Sequence, residues 1–206
     1  ETQKCSLAHI SHLTPYQTGK YMLLDRNTRR NLELVETLRE KQKRGSLLWV
    51  LDKTKTAMGA RKLRGCLEQP LIDEEEILKR YDAIEELNCN VITREELREY
   101  LNPVYDLERL LSKISYKTVN PRDMIALESS LSMLPHIRFL CCNFSSDLFR
   151  DLTNKLDTLE DIFEWIHNAI EEEPPISVRE GGIFKTGYHE EIDRLRNAKT
   201  EGKNWL

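Results

Sequence analysis

The sequence has 206 residues, enough to bury an apolar core in one domain with appended pieces. Hydrophobic residues make up 39% and charged residues 32%, a balance typical of helical proteins with charged outer faces. Only 8 Gly and 7 Pro are present, too few for a protein built from many short strands. The net charge of −4 argues against binding nucleic acid through overall positive charge.

The 5 cysteines lack C-x-x-C spacing, which is typical of a reducing cytosol rather than of a disulfide framework. No apolar run approaches the roughly 18 to 20 residues needed to span a bilayer, and we expect no signal peptide. We therefore expect a soluble, cytoplasmic protein. The sequence starts at Glu1 rather than Met and stops at Trp205-Leu206 within a helical pattern, so we expect a piece of a longer protein.

The N-terminal part begins with a short helical stripe of Leu7, Ile10 and Leu13, which Pro15 closes. A less helical patch follows, where apolar residues flank the turn-rich group Asp25-Arg26-Asn27-Thr28. This pattern predicts a small β element, a strand or hairpin, near residues 21–36.

Candidate capping residues precede most of the later helical stripes. They are Ser46, Thr56, Asp73, Thr93, Asp106 and Asn120. Pro70 is expected to end the helix that starts after Thr56, because proline disfavours the helical conformation of the residue before it. Asn120-Pro121 starts a strong stripe that Pro135 is expected to stop. The apolar members of that stripe are Met124, Leu127, Leu131 and Leu134.

Two further helices are predicted before the C-terminal region, one near residues 148–156 and one with apolar residues at helical spacing. The second carries Leu159, Ile162, Phe163, Ile166 and Ile170. A short extended or hairpin segment is predicted near residues 176–187, and a last helix from Tyr188 onward. The expected fold is mainly α, a multi-helix core bundle with the two small extended elements.

Two groups of residues resemble chemical sites, and for both a structural explanation is favoured. Cys5, His9 and His12 have a spacing that aligns three zinc ligands on a helix face, but no suitable fourth ligand follows. The glycine-rich stretch 181–187 lacks the order of a phosphate loop, so a hairpin turn is favoured. Gly59 and Gly65 lie within a helical pattern, where we expect them to permit close helix packing.

Two basic groups could meet phosphates, although solvated helix faces commonly show such runs. They are Lys41, Lys43 and Arg44, and Arg61, Lys62 and Arg64. The scattered histidines form no grouping that would activate a nucleophile. We therefore expect no catalytic, cofactor-binding or metal-binding residue, and no enzyme activity, in this chain.

Several short segments carry a recognisable pattern. They are Tyr21–Asp25, Thr28–Leu34, Ser46–Asp52, Thr56–Arg61, Gln69–Leu71, Asp106–Leu110, Asn120–Asp123 and Gly187–Asp193. In this one collinear order they resemble the core domain of the bacterial MutS DNA mismatch-repair family. The likeness covers nearly the whole chain, which makes it far more specific than any single motif.

The resemblance implies a bacterial, cytoplasmic, homodimeric ATPase that clamps mismatched double-stranded DNA and recruits the downstream factor MutL. ATP and Mg are then expected for the full-length protein and no cofactor for this piece, which lacks a phosphate loop and a Phe-x-Glu mismatch wedge. It also implies domain bounds: residues 1–15 end the connector domain, residues 16–187 form the helical core, and residues 188–206 start a lever helix toward the absent clamp.

Packed helices can pass a rigid displacement from a nucleotide site to a DNA grip, because each helix is stiff along its axis. We therefore expect a structural and allosteric role, in which the stripes at 124–134 and 159–170 anchor the lever. The alternative is a stand-alone helical protein-interaction scaffold, unrelated to DNA.

Overall fold

The computed structural model describes residues 18–204, with side chains for residues 19–198. Within that range the chain forms ten α-helices and no β-sheet. The helices are α1 (Arg26–Asn31), α2 (Leu47–Leu51), α3 (Ala57–Glu68), α4 (Glu74–Cys89), α5 (Val91–Leu101), α6 (Leu107–Ser115), α7 (Pro121–Cys141), α8 (Asp147–Lys155), α9 (Glu160–Ala169) and α10 (Glu190–Asn204). The stripe predicted around Leu7 lies outside the described residues.

The helices fall into two compact units that are interleaved along the chain. The first unit is the chain up to Asn102 together with His136–Leu156. The second unit is Pro103–Pro135 together with the chain from Asp157 onward. Helix α7 contributes to both units. Among residues 18–204, no helix combines the length and the apolar character required to cross a lipid bilayer.

Side-chain caps start five of the ten helices within residues 18–204 at the predicted positions. Ser46, Thr56, Asp73 and Asp106 each accept a hydrogen bond from the backbone N–H three residues later. Asn120 and Asp123 form a reciprocal pair at the start of α7, in which each side chain accepts from the other's backbone N–H at 2.8 and 3.1 Å. These bonds satisfy N–H groups that have no partner inside the helix.

The predicted cap at Thr93 is wrong, because α5 begins earlier, at Val91. Asn90 ends α4 and begins α5 at once, and its side-chain amide donates to the carbonyl of Glu86 at 2.9 Å. Because Asn90 is the only residue between the two helices, α5 starts before Thr93. The end of α3 before Pro70 is as predicted.

The predicted helix stop at Pro135 is also wrong, since α7 runs through this residue to Cys141. A proline inside a helix removes one hydrogen bond and costs about 3 kcal/mol. After it, Ile137 and Leu140 are 8% and 7% exposed. Burial of two such side chains is worth about 3–6 kcal/mol, which matches or exceeds the cost of the proline.

The β element predicted near residues 21–36 does not form. Asp25 accepts a hydrogen bond from the backbone N–H of Thr28 at 2.6 Å and starts the short helix α1. The turn-rich group is therefore a helix N-terminus rather than a hairpin turn. Tyr21 makes an isolated bridge to Leu71, which is far along the chain.

A short extended or hairpin segment is predicted near residues 176–187, and no hairpin forms there. Residues Val178–Glu180 form a 3₁₀ turn with a capping box between Ser177 and Glu180. The extended residue Phe184 pairs with Ile170, at the end of α9, in an isolated bridge. The backbone of this segment therefore pairs with the end of α9 rather than with a second strand of its own.

The second unit contains the larger apolar core, built from α6, α7 and α9. Its buried members are Leu110, Leu127, Leu131, Ile166, Ala169 and Ile170. Met124, Leu134, Leu159, Phe163, Ile183 and Phe184 pack against them. The predicted stripes on α7 and α9 therefore meet in one core, as expected.

The first unit contains a smaller core of Ala83, Phe144 and Phe149, where α4 packs on α8. The two rings stack with centroids 4.4 Å apart. Beside this core the Glu86 carboxylate accepts hydrogen bonds from the backbone N–H groups of Ser145 and Ser146 at 2.8 and 2.9 Å. One acidic side chain thus ties α4 to the loop that starts α8.

Replacing Leu131 or Ile166 with alanine should lower the free energy of unfolding by about 2–5 kcal/mol, because each change opens a cavity in the larger core. These side chains are 3% and 2% exposed. Urea denaturation measures the loss. Leu195→Ala, at a side chain 67% exposed, is the control and should change stability little. A midpoint equal to that of the parent for both core variants would contradict this assignment.

Glu86→Gln should destabilise the chain at neutral pH and progressively less as the pH falls. The hydrogen bond from the Ser145 hydroxyl, followed by those from the two backbone N–H groups, lowers the pKa of Glu86 from 4.5 to about 2. The stabilisation is therefore fully present above pH 4.5 and is lost as the pH falls toward 2. Thermal melts of the variant and parent at pH 7 and pH 3 measure it.

The matched control for this pH dependence is Glu85→Gln, at the exposed neighbouring glutamate. The difference in melting temperature between parent and control should stay nearly constant over the same pH range. If the Glu86 and Glu85 variants behave alike, the carboxylate does not hold the α8 loop as described.

Candidate functional site: the junction between the second core and α10

The junction segment, residues 183–188, leads from the larger core to helix α10. Its first two residues, Ile183 and Phe184, pack against that core. Two backbone hydrogen bonds of 2.9 Å join it to the end of α9, from Glu171 N–H to the Ile183 carbonyl and from Lys185 N–H to the Ala169 carbonyl. The segment is therefore fixed to the core by both side chains and backbone.

Arg196 of α10 binds back to the junction segment. Its guanidinium donates to the Phe184 carbonyl at 2.8 Å and to the Thr186 hydroxyl at 2.9 Å. It also lies 3.4 Å from a carboxylate oxygen of Asp193, one turn earlier. Because the guanidinium presents several donors in a rigid plane, a single side chain can hold two groups of the segment at once.

Asp193 completes the link from the other side. Its carboxylate accepts a hydrogen bond of 2.7 Å from the backbone N–H of Gly187. Gly187 has a φ of +87°, a conformation that side-chain-bearing residues rarely adopt. The turn at Gly187 therefore aims its N–H at the first turns of α10 and sets where the helix starts.

An aromatic cluster covers the outer side of the junction. The rings of Phe184 and Tyr188 stack with centroids 5.7 Å apart. The Trp165 indole N–H of α9 donates to the Tyr188 hydroxyl at 3.2 Å. The junction segment and the base of α10 are thus held to the core by apolar packing, backbone hydrogen bonds, an ion pair and ring contacts. All of these lie within the second unit.

The junction segment holds the base of a long helix. The described part of α10 has 15 residues and so extends about 22 Å at 1.5 Å per residue. A rotation at its base is therefore amplified at its far end. The arrangement presents no nucleophile with an adjacent base, and its polar groups bind one another.

Two polar contacts link elements of the second unit, one at the buried Ser130 and one at the exposed His167. Ser130 is 0% exposed, accepts a hydrogen bond from the Tyr105 N–H at 3.0 Å and donates to the Ala126 carbonyl at 2.7 Å. His167 of α9 and Glu128 of α7 share a hydrogen bond of 2.7 Å. The sequence pattern shows neither, because a lone serine or histidine at a helical position is no signal by itself.

The glycine-rich stretch and the two basic groups fall within the described residues. Cys5, His9 and His12 lie outside the described residues. Within residues 18–204, no three His, Cys, Asp or Glu side chains converge as a metal ion would require. The glycine-rich stretch overlaps the junction segment, and its first two residues, Gly181 and Gly182, have positive φ.

The two basic groups lie in the first unit, and some of their side chains form ion pairs with carboxylates. Lys43 pairs with Asp52, and Arg64 pairs with Glu68 at 3.1 Å. Arg61 and Lys62 line a groove of about 170 Å³ together with Tyr21, Gly65, Cys66, Gln69, Leu71 and Arg80. These contacts fit a solvated helix face.

The expectation that Gly59 and Gly65 permit close helix packing is wrong. A Cβ atom on Gly59 would meet the hydroxyl of Thr56, the cap of its own helix, at 3.1 Å. For Gly65, no described atom lies within 4 Å of where a Cβ atom would be placed. The first glycine therefore makes room for a cap, and the second is not required by packing.

Comparison with known proteins identifies the family. Residues 27–202 match the family model described as MutS domain III. The chain is 65% identical over 205 residues to the DNA mismatch repair protein MutS of Lachnoclostridium phytofermentans. It is 53% and 46% identical over 206 residues to the proteins of the same name from Caldanaerobacter subterraneus subsp. tengcongensis and Clostridium tetani.

Each of these matches covers 100% of this chain but only 22% to 24% of the relative. The chain thus spans less than a quarter of the length of these three curated relatives. The collinear resemblance seen in the sequence is confirmed, and the chain belongs to the MutS domain III family.

Proposed function

We propose that this chain is the structural and allosteric core and lever of a MutS-type DNA mismatch-repair protein. In that protein it couples changes at the ATP site to DNA clamping and mismatch recognition. Residues 1–15 end the connector domain, residues 16–187 form the core, and residues 188–206 begin the lever toward the clamp. The junction segment bound by Arg196 and Asp193 is the observation that carries this proposal.

The physical support is that coupling needs two sites joined by packed elements with discrete arrangements. The junction meets this need, because α10 is held at its base by directed bonds rather than by a loose linker. A displacement of the core therefore moves the base of α10 with it.

The longer protein is proposed to act as a homodimer in the bacterial cytoplasm, binding mismatched double-stranded DNA and passing the signal to MutL. The names of the relatives support its role in DNA mismatch repair. ATP and Mg²⁺ are assigned to parts of that protein outside this chain, since residues 18–204 supply no group of metal ligands.

The alternative, a stand-alone helical interaction scaffold, has less support. Relatives that are 46% to 65% identical match this chain over its whole length. In each of them the matching region is a minor part of one mismatch repair protein. A role inside such a protein accounts for that coverage directly.

Arg196→Ala in the full-length protein should weaken coupling while leaving the separate activities in place. ATP typically changes the affinity for a coupled ligand by a factor of about 5 to 150. We expect the variant to lose most of this change in affinity for mismatched DNA, because the bonds that hold the base of α10 are removed. Fluorescence anisotropy of labelled DNA with and without ATP measures that factor. ATP hydrolysis in the absence of DNA should be nearly unchanged.

Arg194→Ala is the matched control, because Arg194 is an exposed arginine on the same helix. It should retain the full coupling factor. Circular dichroism checks that both variants are folded. Equal coupling in the Arg196 variant, the Arg194 variant and the parent would contradict the role assigned to the junction.

The isolated chain is expected to hydrolyse no ATP, because its sequence contains no phosphate loop. A phosphate-release assay with Mg²⁺ and ATP should give the rate of the buffer blank. A rate that rises in proportion to chain concentration, and persists through repeated purification, would overturn the assignment of this chain as non-enzymatic.

A further inference from the structure

A cleft of about 440 Å³ lies between helix α7 and the loop that follows α9. Its volume is in the range of the clefts in which proteins bind ligands. Its floor is one face of α7, formed by Arg122, Ile125, Ala126 and Ser129. Its walls are Tyr105 and residues 172–174, so the whole cleft belongs to the second unit. We call it the α7 cleft.

The walls of the α7 cleft are held in place by contacts of their own. The Nε–H of Arg122 donates to the Pro174 carbonyl at 3.2 Å, which ties the loop after α9 to the first turn of α7. The backbone N–H of Tyr105 donates to the buried Ser130 hydroxyl at 3.0 Å. The apolar floor packs against the larger core. The cleft is therefore preformed, and little binding free energy is lost to ordering of the protein.

Two exposed carboxylates edge the cleft, those of Glu172 and Glu173. Within the part of the chain that the structure describes, neither side chain forms a hydrogen bond or an ion pair. Both residues follow the C-terminal end of α9, where the helix dipole already places partial negative charge. Carboxylates at that end are unfavourable, and a bound cation would offset both sources of negative charge. This edge of the cleft therefore favours a cationic occupant.

The other polar groups of the cleft suit a cationic side chain that is carried on a peptide. The Tyr105 side chain is 55% exposed, and the face of a tyrosine ring attracts a guanidinium or ammonium group. The positive charge of Arg122 opposes a free cation. Its guanidinium is anchored through Nε, however, and its remaining N–H groups can donate to the carbonyl oxygens of a peptide backbone.

We propose that the α7 cleft binds an exposed, arginine- or lysine-bearing peptide segment of a different protein. Glu172 and Glu173 bind the cationic side chain, Tyr105 packs on it, and Arg122 binds the peptide backbone. A reversible contact between separate proteins fits the charged edge of the cleft, because permanent interfaces are more apolar. Binding at this cleft goes beyond the proposed function and does not depend on the junction segment.

Three other occupants fit the cleft less well. A metal ion needs a converging group of ligands, which residues 18–204 do not provide. A permanently bound segment of the same polypeptide would leave the two carboxylates covered in an interface that is usually more apolar. A second copy in a symmetric contact would bring two acidic edges together, which like-charge repulsion opposes.

The first test measures the binding of a defined peptide to the full-length protein. The probe is fluorescein-labelled Gly-Ser-Arg-Ser-Arg-Ser-Gly, and fluorescence anisotropy gives its dissociation constant. Replacing both arginines of the peptide with citrulline keeps their shape, removes their charge and should abolish binding. Glu172→Gln combined with Glu173→Gln should raise the dissociation constant by about tenfold or more, since the loss of one hydrogen bond to a charged group is worth roughly that factor.

The matched control is Glu74→Gln combined with Glu75→Gln, which removes the same charge from an exposed position on α4 in the first unit. It should leave the dissociation constant unchanged, and circular dichroism checks that both double variants are folded. Equal weakening in the two variants, no binding of the arginine peptide, or equal binding of the citrulline peptide would overturn the proposal. Displacement of the peptide by CaCl₂, but not by NaCl of equal ionic strength, would indicate a metal site instead and would also overturn it.

The second test replaces Tyr105 with the photo-crosslinking residue p-benzoylphenylalanine in the full-length protein. Irradiation with a biotin-labelled form of the peptide should give a crosslink that an excess of unlabelled arginine peptide prevents and the citrulline peptide does not. The same replacement at Tyr81, which is 62% exposed on α4, is the control and should give no crosslink. A crosslink to the protein's own polypeptide outside residues 1–206, a crosslink between copies, or no crosslink contradicts the assignment.

Neither readout uses ATP or DNA. Failure of the peptide to bind therefore removes the assignment of the α7 cleft and leaves the coupling role of the junction in place. The Arg196→Ala variant should bind the peptide as the parent does, so a loss of coupling in that variant is independent of the cleft.

Discussion

The second unit depends on the contact between α7 and α9 around Leu131 and Ile166. Both side chains are almost fully buried, and the apolar residues of the junction segment complete the same core. The core fixes the positions of the groups that form the backbone bonds to the end of α9 and the bonds of Arg196. The polar link to α10 is therefore a consequence of apolar packing, which supplies most of the favourable free energy of folding.

Much of the helical fold could be predicted from the sequence, since caps and apolar stripes are local signals. Ser46, Thr56 and Asp106 start helices as expected because the cap bond involves only the next few residues. Pro135 could not be placed correctly, because what keeps α7 intact is the burial of later residues. Near Asp25, the same short polar group is compatible with a hairpin turn and with a helix start, so the pattern alone does not choose between them.

Less of the candidate site could be predicted. The start of the last helix near Tyr188 was predicted, but the bonds that hold it join Arg196 to Phe184, twelve positions earlier in a loop. Such a pair has no periodic signature. The exposed side of helix α2 could not be predicted either. Leu47–Leu51 is apolar throughout, so the pattern indicates burial but not which side chains remain exposed.

The interleaving of the two units constrains how the chain can be made. The first unit needs His136–Leu156, so it remains incomplete while Pro103–Pro135 leaves the ribosome. The second unit in turn needs residues from Asp157 onward, after the first is finished. At synthesis rates of roughly 5–20 residues per second, several seconds pass between the emergence of Asn102 and that of Leu156, and the first unit stays incomplete over that time.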